Sequence, residues 1–167
     1  MPRRRKKKAL RIIHQSAGPL PLRLAERFTG QLLVFSDASL KRTGGLAAVM
    51  FGDPESEPLV ATRSVPPDGS NELELQAALF ALQQARRHFP ERPLALFSDN
   101  QDAVSRLNRA IESGLAQDEA LGSMLAALEI AAPLDNALIC WVKGHASCRG
   151  NTLADRHAAA AAAAAAA

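Results

Sequence analysis

The chain has 167 residues, 22% charged and 47% apolar, with a net charge of +3 and two cysteines, Cys140 and Cys148. That length suffices for one core-bearing domain, two thiols make no disulfide framework, and no apolar run approaches the ~20 residues of a membrane span. The charge is uneven: Arg3, Arg4, Arg5, Lys6, Lys7, Lys8 and Arg11 all precede the first acid, Glu26, which leaves 13 basic against 17 acidic residues elsewhere.

A concentrated cation ahead of a mildly acidic body is the pattern of an arm that seeks a polyanion. The same residues would also pass as a nuclear signal or an arginine-containing presequence. The few cysteines fit a reducing compartment, and we expect a cytoplasmic setting. Residues 1–30 read as this basic arm and a linker, broken by Gly18-Pro19 and Leu20-Pro21. Residues 31–157 read as the folded domain, and 158–167 as a polyalanine tail that extends the last helix but is no evidence of a packed core.

In chain order, Leu32 to Phe35 is an apolar run expected to form a strand buried on both faces and to end in Ser36-Asp37. A turn at Arg42-Thr43-Gly44-Gly45 leads back through Leu46 to Phe51 as a hairpin. Leu59 to Val65 is a third strand, stopped by Pro66-Pro67-Asp68-Gly69. Ser70 or Asn71 then caps a helix reaching His88, with Leu75, Ala78, Leu79 and Leu82 on one face. Glu74 falls in its first turn, where the helix dipole favours a carboxylate.

Leu94 to Phe97 is a fourth strand and again ends in Ser-Asp, Ser98-Asp99. A helix from Asn100 to Glu112 should turn Val104, Leu107 and Ile111 inward, and another from Gln117 to Ile130 should bury Leu121, Leu125 and Leu128. Ala137 to Val142 is the fifth strand. A polar loop follows, then a last helix capped by Asn151 and carrying Asp155.

Three hairpin-linked strands followed by crossovers give a mixed α/β sheet, with the direction switch beside the first strand. Ligands favour the carboxyl ends of strands near such a switch. Taken singly, each aspartate is equally an ordinary turn residue. Four carboxylates converging there would repel unless cations sat between them. All-oxygen ligation suits magnesium or manganese, and a pair of such ions suits hydrolysis of a phosphodiester.

Asp37 in FSDAS, Glu74 in NELELQAAL, Asp99 in FSDNQ, and WVKGHASCRGNTLAD from Trp141 to Asp155 together resemble type 1 ribonuclease H. The resemblance spans Leu32 to Asp155 and implies a ribonuclease H-like five-stranded mixed sheet in the order 3-2-1-4-5, flanked by helices. It implies endonucleolytic hydrolysis of the RNA strand of an RNA–DNA hybrid by a two-metal-ion mechanism, giving 5′-phosphate and 3′-hydroxyl ends. Asp37 would be shared by two Mg2+ ions (or Mn2+), Asp155 would hold the ion near the attacking water, and Glu74 with Asp99 the ion near the leaving group. His145 would assist proton movement or product departure. Asn71, Gln101 and Asn151 match positions that contact the hybrid's backbone or 2′-hydroxyls.

The chain also departs from the pattern. Ala38 stands where glycine is frequent, and Lys41 and Arg42 replace a more neutral turn. Only Ser113-Gly114-Leu115-Ala116 joins the middle helices, where many bacterial members insert a basic, tryptophan-containing protrusion. The grip on substrate is therefore expected from Arg3, Arg4, Arg5, Lys6, Lys7 and Lys8, with Lys143 as a further phosphate contact or simply a solvated lysine. Glu72, Asp102, Asp118 and Asp135 read as helix-terminus or turn acids, and Trp141 as packing. Cys140, His145, Cys148 and His157 have irregular spacing for zinc. The competing functions are another nuclease of the superfamily or a catalytically silent hybrid-binding protein; the expected state is a monomer.

Overall fold

The computed structural model describes residues 18–144 and 148–164. Its core is a five-stranded sheet in the order β3-β2-β1-β4-β5, built from β1 (Leu32–Leu40), β2 (Gly44–Phe51), β3 (Leu59–Val65), β4 (Leu94–Ser98) and β5 (Ala137–Trp141). β1, β2 and β3 are antiparallel neighbours, whereas β4 runs parallel to both β1 and β5. The mixed sheet and its strand order agree with the sequence reading.

Both faces of β1 are apolar because both are covered. Leu32 and Val34 join one cluster with α2 (Ser70–His88), α3 (Gln101–Ser113) and α4 (Glu119–Ala126). Leu33 and Phe35 join a second with Phe51, Phe97, Val142 and Ala154, the last from α5 (Arg149–Ala163). Alternation within one strand therefore feeds two cores.

Several boundaries differ from expectation for identifiable reasons. The segment read as a linker contains a short helix, α1 (Leu22–Ala25), and a 3-10 turn, Glu26–Phe28. It adds Leu20 and Phe28 to the second core, with Phe28 edge-on to Phe97 at 5.0 Å. The Pro19 carbonyl also accepts from the Gly150 N–H, at 3.1 Å. Gly44 and Gly45 belong to β2, not to the turn. A β-carbon on Gly45 would overlap the backbone of Ala158 and Ala162, so glycine is what lets α5 lie flat on the sheet.

The alanine run also contributes to the core, contrary to expectation. Ala158, Ala161 and Ala162 are buried, and the Ala161 carbonyl accepts from Ser64 Oγ at 2.9 Å. Gly69 stands at the N-cap of α2, without a side-chain cap from Ser70 or Asn71. Cys148, not Asn151, is the N-cap of α5. Helix α4 is shorter than its apolar pattern suggested, starting after the Asp118 N-cap, which Arg106 engages with two bonds of 2.7 and 2.8 Å. Ile111, expected inside, is 42% exposed, and Trp141, read as packing, is 44% exposed.

Gly45→Ala should force α5 off the sheet. Overpacking of this kind costs about 1–3 kcal/mol, so urea unfolding should show a clearly lowered midpoint, whereas Gly122→Ala, whose β-carbon would make only ordinary contact with Leu115, should not. An unchanged midpoint for Gly45→Ala would contradict the packing described.

Candidate active site

Parallel pairing of β1 with β4 ends at Phe35 opposite Phe97, whose rings stack at 5.1 Å. Asp37 and Asp99 each lie two residues further on, where the strands part. β1 does not end at Asp37 as expected; it continues to Leu40, with Asp37 paired to Ala47 of β2. The carboxylate therefore sits at the end of the β1–β4 pairing but inside β1, which holds its backbone rigid.

Glu74 arrives from the other side of the sheet, between buried Leu73 and Leu75 on α2. Asp37, Glu74 and Asp99 each bring a carboxylate oxygen within 4.8 Å of the other two. Asp37 is 4% exposed and accepts from the Ala38 N–H at 2.9 Å. Burial and the charge of Asp99 push the Asp37 carboxyl up to about 7, against the pull of the Ala38 bond. Burial followed by the charges of Asp37 and Asp99 pushes Glu74 up to about 9. The expectation that the helix dipole would favour an ionised Glu74 thus fails: it lies in the second turn, and desolvation outweighs the dipole. The interaction between the two carboxyls raises Glu74 and lowers Asp37, so Glu74 is the more readily protonated of the pair.

Among the described residues, only four buried side-chain polar atoms have no partner, and Glu74 Oε2 is one of them. An orphaned carboxylate oxygen amid two more carboxylates is a donor set for a hard cation. The residues present fit a divalent metal. Gly144 closes against Asp99: a β-carbon there would stand 3.0 Å from Asp99 Oδ2.

The fourth expected carboxylate, Asp155, is exposed on α5 and is not one of the three close groups. Its charge nevertheless reaches Asp37 and raises it. Gly150, against the Phe35 ring, lets the start of α5 come this near, since a β-carbon there would overlap that ring. Asn71, Gln101 and Lys143 are exposed. Asn151, in contrast, is only 2% exposed, below the surface rather than on it. His145 and Arg3, Arg4, Arg5, Lys6, Lys7 and Lys8 lie outside the described residues. Among those described, Cys140, Cys148 and His157 do not gather into a metal-binding group. Sequence reasoning missed Asn100, whose amide joins the starts of α2 and α3; its place as N-cap after a strand-end Asp was the available signal. A cavity of about 570 Å³ lined by Gln31, Pro93, Asn136 and Ala137 opens at the opposite end of the sheet, away from this chemistry.

The family model for RNase H matches residues 29–163. The chain belongs to the ribonuclease H family, a class of nuclease hydrolases. No curated protein sequence matches it. Among solved structures, it is similar to the protease–reverse transcriptase of prototype foamy virus (TM-score 0.64, 18% identity), covering 83% of this chain and 22% of that one. It is similar to the N-terminal RNase H domain of rv2228c from Mycobacterium tuberculosis, solved as a fusion with maltose binding protein (TM-score 0.59, 19% identity, 80% and 94% covered). A third is LC11-RNase H1 in complex with an RNA/DNA hybrid (TM-score 0.54, 15% identity, 76% and 93% covered).

The raised carboxyls have a consequence for stability. Because the folded protein holds protons that the unfolded chain releases above pH 4–5, the metal-free protein loses stability as pH rises through about 7 and 9. Asp37→Asn and Glu74→Gln should each stabilise it at pH 8, by on the order of 1–2 kcal/mol, and flatten that decline. Denaturant titrations at pH 5, 7 and 9 check this; stability rising across that window would refute it.

Proposed function

We propose that this chain hydrolyses the RNA strand of RNA–DNA hybrids at internal positions, leaving 5′-phosphate and 3′-hydroxyl ends. The observation that carries the reading is the close triad of Asp37, Glu74 and Asp99, its first member buried and the other two half-buried, with the orphaned Glu74 oxygen. Membership of the ribonuclease H family supports it, as does the similar ribonuclease H1 held with an RNA/DNA hybrid. In this reading Asp37, Glu74, Asp99 and Asp155 hold two magnesium ions, with manganese as an alternative. Bound there, such ions would lower the pKa of an attacking water and stabilise charge on the leaving oxygen.

The chain's own residues do the rest. The Ala38 N–H and the paired backbone of β1 keep the Asp37 carboxylate in one orientation. The buried, stacked rings of Phe35 and Phe97, two residues before Asp37 and Asp99, make an apolar base for these two carboxylates. Proton loss from Glu74 accompanies cation binding, so metal affinity increases with pH. His145 moves a proton at the leaving oxygen or aids product departure. The exposed Asn71, Gln101 and Lys143 contact the hybrid's sugar–phosphate backbone or its 2′-hydroxyls. The basic residues 3–8 hold the duplex electrostatically, in place of a protrusion between α3 and α4, which residues 114–118 alone connect. A monomer in a reducing, cytoplasmic setting completes the reading.

The test is an end-blocked, labelled hybrid offered with magnesium beside matched RNA and DNA duplexes. Internal cleavage of the hybrid alone is the expected result, abolished by Asp99→Asn with hybrid binding retained. Retained cleavage in that variant would refute the metal assignment; binding without cleavage by the unaltered chain would make it a silent binder. Deleting residues 1–12 should weaken hybrid binding and flatten its salt dependence, by about 0.9 in log–log slope for each phosphate that is no longer neutralised.

A further inference from the structure

The amino ends of α2 and α3 are joined by a run of side-chain hydrogen bonds beside the carboxylates. Asn100, the N-cap of α3, accepts from the Ala103 N–H through Oδ1 at 2.8 Å, and its backbone N–H donates to Ser98 Oγ at 3.1 Å. Its Nδ2 donates to Asn71 Oδ1 at 3.0 Å. Asn71 Nδ2 donates in turn to Asp102 Oδ2, also at 3.0 Å.

The chemistry of the partners fixes which way both amides face. A backbone N–H only donates, so the Asn100 oxygen faces Ala103 and its nitrogen faces Asn71. An ionised carboxylate only accepts, so the Asn71 nitrogen faces Asp102. The two requirements agree, since the Asn71 oxygen is then the atom left for Asn100. Arg106, four residues beyond Asp102, is held by both oxygens of Asp118, which leaves the Asp102 carboxylate for Asn71.

Asn71 lies three residues before Glu74 and so shares its helical face, and Asn100 directly follows Asp99. The Asn71 side chain is exposed. With one bond made at each end, its carboxamide retains one N–H and one lone pair. An adjacent donor and acceptor match a hydroxyl group, which both donates and accepts, and a deoxyribose offers neither.

We propose that Asn100 and Asp102 are positioning residues that hold the Asn71 carboxamide in the orientation that reads a ribose 2′-hydroxyl beside the cleavage site. The inference rests on the hybrid-cleaving reading and deepens it by giving roles to two residues that need not touch substrate. Asp102 is then more than a helix-start acid.

The test is steady-state cleavage of hybrids that differ only by single 2′-deoxy substitutions walked across the nucleotides around the cleavage site. The unaltered chain should lose about tenfold in kcat/KM at one of these positions, the scale of a single missing hydrogen bond. Asp102→Ala should raise KM on the all-ribose hybrid about three- to tenfold, with kcat within about twofold. Its penalty for the 2′-deoxy substitution should shrink toward none, as in Asn71→Ala. Asp102→Asn, which keeps an acceptor oxygen, should restore most of that penalty. A merely structural role would lower activity equally on every hybrid and leave the penalty intact; thermal unfolding of each variant separates that case. An undiminished penalty in Asp102→Ala overturns this inference alone. An unaltered chain that neither binds nor cuts the hybrid overturns the functional reading and this inference together.

Discussion

Three carboxyl groups held within 4.8 Å of one another, Asp37 buried and Glu74 and Asp99 half-buried, set the terms for the upper end of this sheet. Each would be cheaper exposed, and each is prevented from escaping by its own element. Asp37 lies within a strand paired on both sides up to Phe35 and to β2 beyond it. Glu74 is flanked by buried Leu73 and Leu75. Asp99 follows Ser98, the last residue of a completely buried strand. The fold thus gathers like charges whose repulsion a cation could relieve, and burial with this repulsion raises the Asp37 and Glu74 carboxyls. Such a site is prepared in advance, since no residue must leave the core to complete it.

The two-sided sheet is what makes this preparation possible. One face carries α2 and so Glu74; the other carries α5 and so Asp155. Bringing both helices to the same edge requires close approach on the α5 side, which the missing β-carbons of Gly45 and Gly150 allow. Residues 18–31 fill the remainder of that face through Leu20 and Phe28. A segment that looks dispensable thereby helps to fix the helix bearing the fourth carboxylate, with Pro19 bonded directly to its first turn.

Much of this was legible in the residues. Apolar runs of four, each ending in Ser-Asp, disclosed β1 and β4, and proline and glycine clusters marked the breaks between elements. What escaped were features decided by tertiary contact. Gly44-Gly45 has the composition of a turn, yet the need for α5 to lie close draws it into a strand. The amphipathic pattern of α3 includes Ile111, but that position lines an open cavity and stays 42% exposed. The depth of Glu74 could not be inferred either, because helix-start acids are ordinarily solvated and only the neighbouring strands remove the water. The N-cap of α5 fell to Cys148 rather than Asn151, since the pairing of Gly150 with Pro19 and the burial of Asn151 fix where the helix starts.

The alanine stretch of α5 has a further meaning. Letter by letter it carries almost no information, and a complexity filter would discard it as filler. Against Gly45, however, it meets a surface with no side chain at all, and the methyl group becomes the largest object that fits. Ala158 and Ala162 are thus specified by what faces them, as a smooth shim is specified by the gap it fills. Substitution there would be expected to tolerate nothing bulkier on the buried stripe and nearly anything on the exposed one. A run that is uniform in sequence is, in the folded chain, two different surfaces.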